Sequence, residues 1–167
     1  MEQVFTQKQE WMESRVRAIG GSEVAAIIGL DPYKTPYQIW LEKVSGISNH
    51  VENEYTRSGN KLEKVVVEYF MEETGFTVSN WDESIFHSVT HPIYPYMKGS
   101  RDREYYNKDG KLCILECKTT QREIDVENLP MTWFCQLQWY MGLYDVPEGT
   151  IAWLEKGLKF KIGRAHV

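Results

Sequence analysis

A small mixed β-sheet flanked by helices, preceded by an N-terminal helical segment, is the α/β (α+β) architecture this sequence predicts. Three observations predict it. Helix start and stop signals fill the first half of the chain, Asp109-Gly110 joins two strand-like runs as a strong hairpin turn, and one further helix and strand follow. At 167 residues the chain suits one domain, residues 1–167, with a single core.

Thr6 with Gln9 resembles a capping box opening a helix that runs to about Arg17. Gly20-Gly21 breaks it, and Ser22 is placed to N-cap a short helix from Glu23 to Ile28. The run from Gly29 to Tyr33 is a turn. Thr35 then caps a third helix, with Pro36 at its first position, Gln38 completing the box and Gly46 near its end. Ser48 to Glu54 is polar and reads as a loop.

A longer helix covers about Tyr55 to Thr74 and is closed by Gly75. Leu62, Val65, Val66, Tyr69 and Phe70 form its apolar stripe, and Glu63 lies at the stripe's edge, where a carboxylate wants a partner or a metal. Strand-like runs follow at about Phe76–Asn80, Ile85–Val89, Lys98–Asn107 and Lys111–Lys118. In the last of these the two-residue period puts Ile114, Glu116 and Lys118 on one face and Cys113, Leu115 and Cys117 on the other. A helix from Pro130 to Tyr144 and a strand from Thr150 to Glu155 complete the pattern.

Composition narrows the function classes. A content of 42% hydrophobic and 13% aromatic residues excludes a disordered chain. No apolar run reaches membrane-spanning length and the N-terminus lacks a signal-peptide pattern, so a cytoplasmic location and no membrane partner are expected. Cys113 and Cys117 stand roughly 13 Å apart at strand rise, too far to bridge, and read as buried thiols. The net charge of −5 argues against indiscriminate coating of nucleic acid, although carboxylates gathered around a cation count as negative until it binds. Arg15, Arg17, Lys98, Arg101, Arg103 and Lys118 are basic positions that could line a phosphate path.

The chemistry centres on Asp102, at the end of one strand, with Glu116 and Lys118 on a shared face of the next. Converging carboxylates can hold a divalent cation, and a lysine beside them can orient a water, which suits phosphodiester hydrolysis. An exposed hairpin whose acid and lysine pair across the sheet is the competing reading. Two details favour the site: Glu116 is embedded in the apolar run Leu112 to Leu115, and Glu63 offers a third half-buried carboxylate. Trp11, Met12, Trp133, Phe134, Trp139 and Tyr140 read as core or groove wall, and the histidines show no metal spacing.

The block Arg17 to Pro36, with Gly20-Gly21-Ser22 and Gly29-Leu30-Asp31-Pro32-Tyr33 inside it, resembles the opening of the YqaJ-type viral recombinases. These are relatives of phage lambda exonuclease within the PD-(D/E)XK nuclease superfamily. Gly59-Asn60-Lys61-Leu62-Glu63, Gly99-Ser100-Arg101-Asp102, Leu115-Glu116-Cys117-Lys118 and Gln136-Leu137-Gln138-Trp139-Tyr140 agree in order and spacing. Arg101 stands where the superfamily name has proline.

The resemblance implies a restriction-endonuclease-like core and a role for each position. Asp102 and Glu116 would bind Mg²⁺ or Mn²⁺ with the backbone carbonyl of Cys117, and Glu63 would complete a second metal position, giving two ions. Lys118 would position the attacking water. Gln136, with Tyr140 one turn on, would prop the lysine or a substrate phosphate, and Gln138 is the competing choice. Arg15, Ser22 and Ser100 resemble a pocket for a 5′-terminal phosphate, with Arg17 able to substitute for Arg15.

The expected activity is a metal-dependent 5′→3′ exonuclease on linear double-stranded DNA in phage-type homologous recombination. The alternatives are a catalytically weak DNA-end-binding or assembly module and a structure-specific or nicking endonuclease using the same site. Double-stranded DNA ends, a single-strand annealing protein and a homotrimer are the partners the resemblance implies. Residues 161–167 can be encoded by a common sequencing-adapter sequence, so they are expected to be a non-native tail on a truncated chain.

Overall fold

The computed structural model describes residues 16–46, 54–79 and 88–166. The helix expected from Thr6 to Arg17 therefore lies almost wholly outside the described residues, as do Arg15, Trp11 and Met12.

The first described element is a 3-10 turn, Gly21–Glu23, running into a short helix α1 (Val24–Ile27). Ser22 is not its N-cap. The N-cap lies two residues earlier, at Gly20, and the capping bond comes from Glu23, whose carboxylate accepts the Gly20 N–H at 2.9 Å. Glu23 also pairs with Lys43 at 2.8 Å, which ties α1 to the next helix, α2 (Pro36–Ser45). There the capping box forms as the sequence predicts. Thr35 Oγ1 accepts the Gln38 N–H at 3.3 Å and Gln38 Oε1 accepts the Thr35 N–H at 2.8 Å, and Gly46 closes the helix at φ 69°.

The long helix α3 (Glu54–Thr74) ends at Gly75, φ 71°. Strands β1 (Val89–Thr90) and β2 (Lys98–Gly99) form a separate two-stranded ribbon. The main sheet has the order β3-β4-β5-β6, from β3 (Arg103–Tyr106), β4 (Leu112–Thr120), β5 (Glu148–Glu155) and β6 (Lys159–His166). Helix α4 (Met131–Tyr144) makes the crossover between β4 and β5, which are parallel; the other pairs are antiparallel.

The two faces of β4 separate as its period predicts. Cys113, Leu115 and Cys117 pack with Val66 and Phe70 of α3, whereas Ile114 packs with Leu137 and Met141 of α4 and with Trp153 of β5. Burying a side chain such as Phe70 or Leu137 contributes about 1.5–3 kcal/mol each, so the helices clamp the sheet from both sides.

Two strand expectations change. Lys98–Asn107 is broken at residues 100–102, because the backbone at its start is committed elsewhere. Lys98 N–H donates to Ile19 O at 3.1 Å and Ile19 N–H to Tyr96 O at 2.7 Å, so only Arg103 onward is free to pair with β4. Of Phe76–Asn80, a single antiparallel bridge, Val78 to Tyr105, is formed among the described residues. Residues 159–166 form an edge strand that had no counterpart in the predicted elements, pairing from Glu155–Lys159 to Glu148–His166. Backbone pairing at a sheet edge places weak demands on side-chain identity.

Candidate active site

Residues from three layers converge on an open cleft of about 250 Å³, whose walls include Glu63 of α3, Asp102 before β3, Glu116 and Lys118 of β4, and Gln136 of α4. Each side chain arrives for a local reason. Glu63 sits one turn before the buried Val66, Asp102 follows the break in the 98–107 run, and β4 directs Glu116 and Lys118 towards α4.

Lys118 Nζ donates to Glu116 Oε1 at 2.6 Å and to Gln136 Oε1 at 3.0 Å, and Gln136 Nε2 in turn reaches the Tyr140 hydroxyl at 3.4 Å. Asp102 Oδ2 accepts the backbone N–H of Cys117 at 2.9 Å. Arg103 Nη1 lies 2.6 Å from Glu63 Oε1 and donates to the Asp102 carbonyl oxygen at 2.6 Å.

Glu116 is wholly buried. Burial, reinforced by the neighbouring Asp102 carboxylate, pushes its carboxyl up to about 8 even though Lys118 pulls the other way. Burial alone would lower Lys118, but Glu116 and Asp102 outweigh it and hold the ammonium above the usual lysine range. The Cys117 thiol is pushed well above its usual range by burial and then by Asp102 and Glu63, so it is no thiolate nucleophile.

The donor set fits a hard divalent cation. Glu116 Oε2 is buried without a hydrogen-bond partner, an expensive state for a carboxylate oxygen that a cation would relieve. Among the described residues, no three His, Cys, Asp or Glu side chains come together as a metal-holding group. Asp102 and Glu116 share the cleft floor, while Glu63 is engaged by Arg103.

The remaining candidates divide. Tyr140 is buried, and its ring is so close that a Cβ built on Gly21 would lie 2.9 Å from it and one on Gly99 2.5 Å from it. Ser22 and Ser100 each follow one of those glycines, so one ring joins the two segments that carry them. Ser22 is exposed and Ser100 half-buried, and neither lines the cleft. Arg17 is exposed, and Gln138 does not line the cleft. Of the basic positions, Arg101 is pinned over the Tyr144 ring at 4.0 Å and pairs with Glu104. Trp133 packs edge-on against Trp153 at 5.9 Å, and Trp139 donates from Nε1 to Lys98 O at 3.0 Å, so both are structural; Phe134 stays partly exposed.

Sequence reasoning offered Arg103 as a basic position for a phosphate path and missed its link between Glu63 and Asp102. The signal was present, because Arg103 is the first residue of a strand whose alternate member, Tyr105, faces α3. Asn60 and Thr119 also line the cleft. A second buried carboxylate, Glu155, was not anticipated; the Ile124 N–H at 2.7 Å holds it below the usual range.

Solved structures share this fold. The model superimposes on an alkaline exonuclease, LHK-Exo, from Laribacter hongkongensis with a TM-score of 0.72 at 16% identity, covering 95% of this chain and 81% of that one. A phage related exonuclease from Haemophilus somnus 129PT gives 0.57 at 18% identity, over 83% and 68%. In sequence, the chain is 32% identical over 141 residues to the uncharacterized protein YqaJ of Bacillus subtilis (strain 168), covering 81% of this chain and 42% of that protein. It is 27% identical over 110 residues to the uncharacterized MG373 homolog of Mycoplasma pneumoniae, covering 62% and 39%. The chain thus spans about two-fifths of the length of these curated relatives. The model of the YqaJ-like viral recombinase domain matches residues 10–145, which contain the cleft and all five of its candidate catalytic side chains, and the chain belongs to that family.

Proposed function

We propose that this chain carries the nuclease centre of a metal-dependent deoxyribonuclease, acting as a 5′→3′ exonuclease on linear double-stranded DNA in phage-type homologous recombination. The observation that carries the reading is the buried, unpartnered Oε2 of Glu116, a residue lining the same cleft as Asp102, Lys118 and Gln136. Glu155 shows the same orphan oxygen beside Lys161, so what distinguishes Glu116 is the second carboxylate, Asp102, on the same cleft.

Asp102, Glu116 and the Cys117 backbone carbonyl would hold Mg²⁺ or Mn²⁺, with Glu63 at the outer wall. The cation supplies positive charge to the attacking water and to the phosphoryl oxygens. Lys118, kept as an ammonium, orients that water and offers charge to the phosphate, while Gln136 fixes the lysine's direction. Ser22 and Ser100, on segments that both pack against the Tyr140 ring, would receive a terminal phosphate together with Arg15 or Arg17. The exonuclease descriptions of the Laribacter and Haemophilus proteins and the viral recombinase domain support the choice of DNA and of an exonucleolytic mode. A homotrimer and a single-strand annealing partner rest on the family resemblance.

The test is incubation of linear and covalently closed circular duplexes with Mg²⁺, comparing the wild type with Glu116→Gln. Loss of linear DNA alone, from the 5′ end of an end-labelled strand and abolished by the substitution, is the expected result. Cleaved circles would replace the exonuclease by an endonuclease. End binding without degradation would leave a binding module.

A further inference from the structure

The cleft sets a fixed cation, Arg103, against Glu63, the carboxylate that a second metal ion would need. Glu63 would be the outer ligand of such an ion. Its Oε1 instead lies 2.6 Å from Arg103 Nη1, and that same nitrogen donates to the Asp102 carbonyl oxygen at 2.6 Å. The guanidinium thus bridges α3 to the turn that bears Asp102, with both side chains of the ion pair mostly withdrawn from solvent, at 12% exposure for Arg103 and 24% for Glu63.

The charge balance points the same way. Three carboxylates, Glu63, Asp102 and Glu116, face two fixed cations, Lys118 and Arg103. One divalent ion between Asp102 and Glu116 satisfies the orphan oxygen of Glu116. A second, near Glu63, would stand beside a permanently charged arginine that cannot deprotonate to make room for it. Among the described residues, no third acidic, histidine or cysteine side chain joins Asp102 and Glu116 to complete a metal cage.

We propose that Arg103 is a positioning residue that limits the DNA-free protein to one bound divalent cation, its guanidinium holding Glu63 in the second ion's stead. The inference rests on the metal-dependent reading above and changes its expected count of two ions. It also makes Glu63 a residue held ready by Arg103 rather than a permanent ligand.

Isothermal titration with Mn²⁺ in the absence of DNA tests it. The expected stoichiometry is one ion per chain for the wild type, two for Arg103→Gln, and one again for the double variant Arg103→Gln/Glu63→Gln, because the second ion needs Glu63. Two ions on the wild type would overturn the inference while leaving the nuclease reading intact, as would one ion on a folded Arg103→Gln protein. Zero ions on the wild type would remove the metal-dependent reading and the inference together. The wild-type count alone decides the matter if Arg103→Gln fails to fold, and a gain of a binding site is not a change that mere loss of packing produces.

Discussion

Asp102 accepts the backbone N–H of Cys117 through Oδ2 at 2.9 Å, which locks a loop carboxylate to the central strand between Glu116 and Lys118. The bond fixes one oxygen's direction and leaves the other for the cleft. Asp102→Asn keeps an acceptor for that N–H, so the fold is expected to hold, with less than about 1 kcal/mol lost. Turnover of linear duplex should fall by at least about 100-fold, since the substitution removes a charge from the reacting centre. Urea unfolding beside an end-labelled degradation assay separates the two effects.

Lys118→Met should cost both activity and stability, and the stability cost should depend on pH. Above about pH 8 the wild-type pair is ionised, and removing Lys118 leaves Glu116 either charged without its 2.6 Å partner or forced to keep a proton, a loss of about 3–5 kcal/mol. Near pH 5.5 Glu116 is protonated in the folded protein and the loss should shrink. Denaturation midpoints at the two pH values, compared with the wild type, check this, and equal losses at both would contradict it.

The raised Glu116 carboxyl also sets the pH dependence of the wild type. Its folded value of about 8 exceeds the ordinary glutamate value of about 4.5, so the folded state binds the extra proton in that window. As far as this group decides, the metal-free protein should therefore be most stable below about pH 4.5 and lose stability as pH rises from there towards 8. A bound cation replaces that proton, so Mg²⁺ should bind more tightly as pH rises through this range and release protons on binding. Titration calorimetry in two buffers of different ionisation enthalpy counts the protons. Identical heats after correction for dilution would show that none leave.

Gly99→Ala should destabilise the protein by about 1–3 kcal/mol, because the added methyl would meet the buried Tyr140 ring at 2.5 Å. Paired with Tyr140→Leu, which removes the obstruction, the alanine should cost much less than it does alone. Thermal melts of the two single variants and the double variant measure that coupling.

Much of this was legible in the sequence wherever a local signal coincided with a tertiary need. Thr35, Pro36, Gln38 and Gly46 specify α2 by hydrogen bonds within the helix and its two ends. Asp109-Gly110 specifies the hairpin, and the two-residue period of β4 separates Glu116 and Lys118 from Cys117. Glu63 stood out because a carboxylate interrupts an apolar stripe. What the sequence hid depends on partners distant along the chain. The break at residues 100–102 arises because Ile19 accepts the Lys98 N–H and donates to Tyr96 O across many intervening residues. Ser22 lost its capping role to Glu23, whose carboxylate Lys43 also holds. The bond from Arg103 to Glu63 crosses from sheet to helix, and the two-residue period of β3 gives the face Arg103 takes but not its partner.

The position of β4 between two hydrogen-bonded neighbours has a consequence for how activity relates to folding. A slip of one residue would send Glu116 and Lys118 towards the apolar underside of α3 and turn Cys117 towards α4 in their place. Such a molecule would bury a carboxylate against Val66 and Phe70 and would come apart rather than persist. Folded but miswired copies of the protein should accordingly be scarce, and any nuclease activity of a preparation should track its folded fraction.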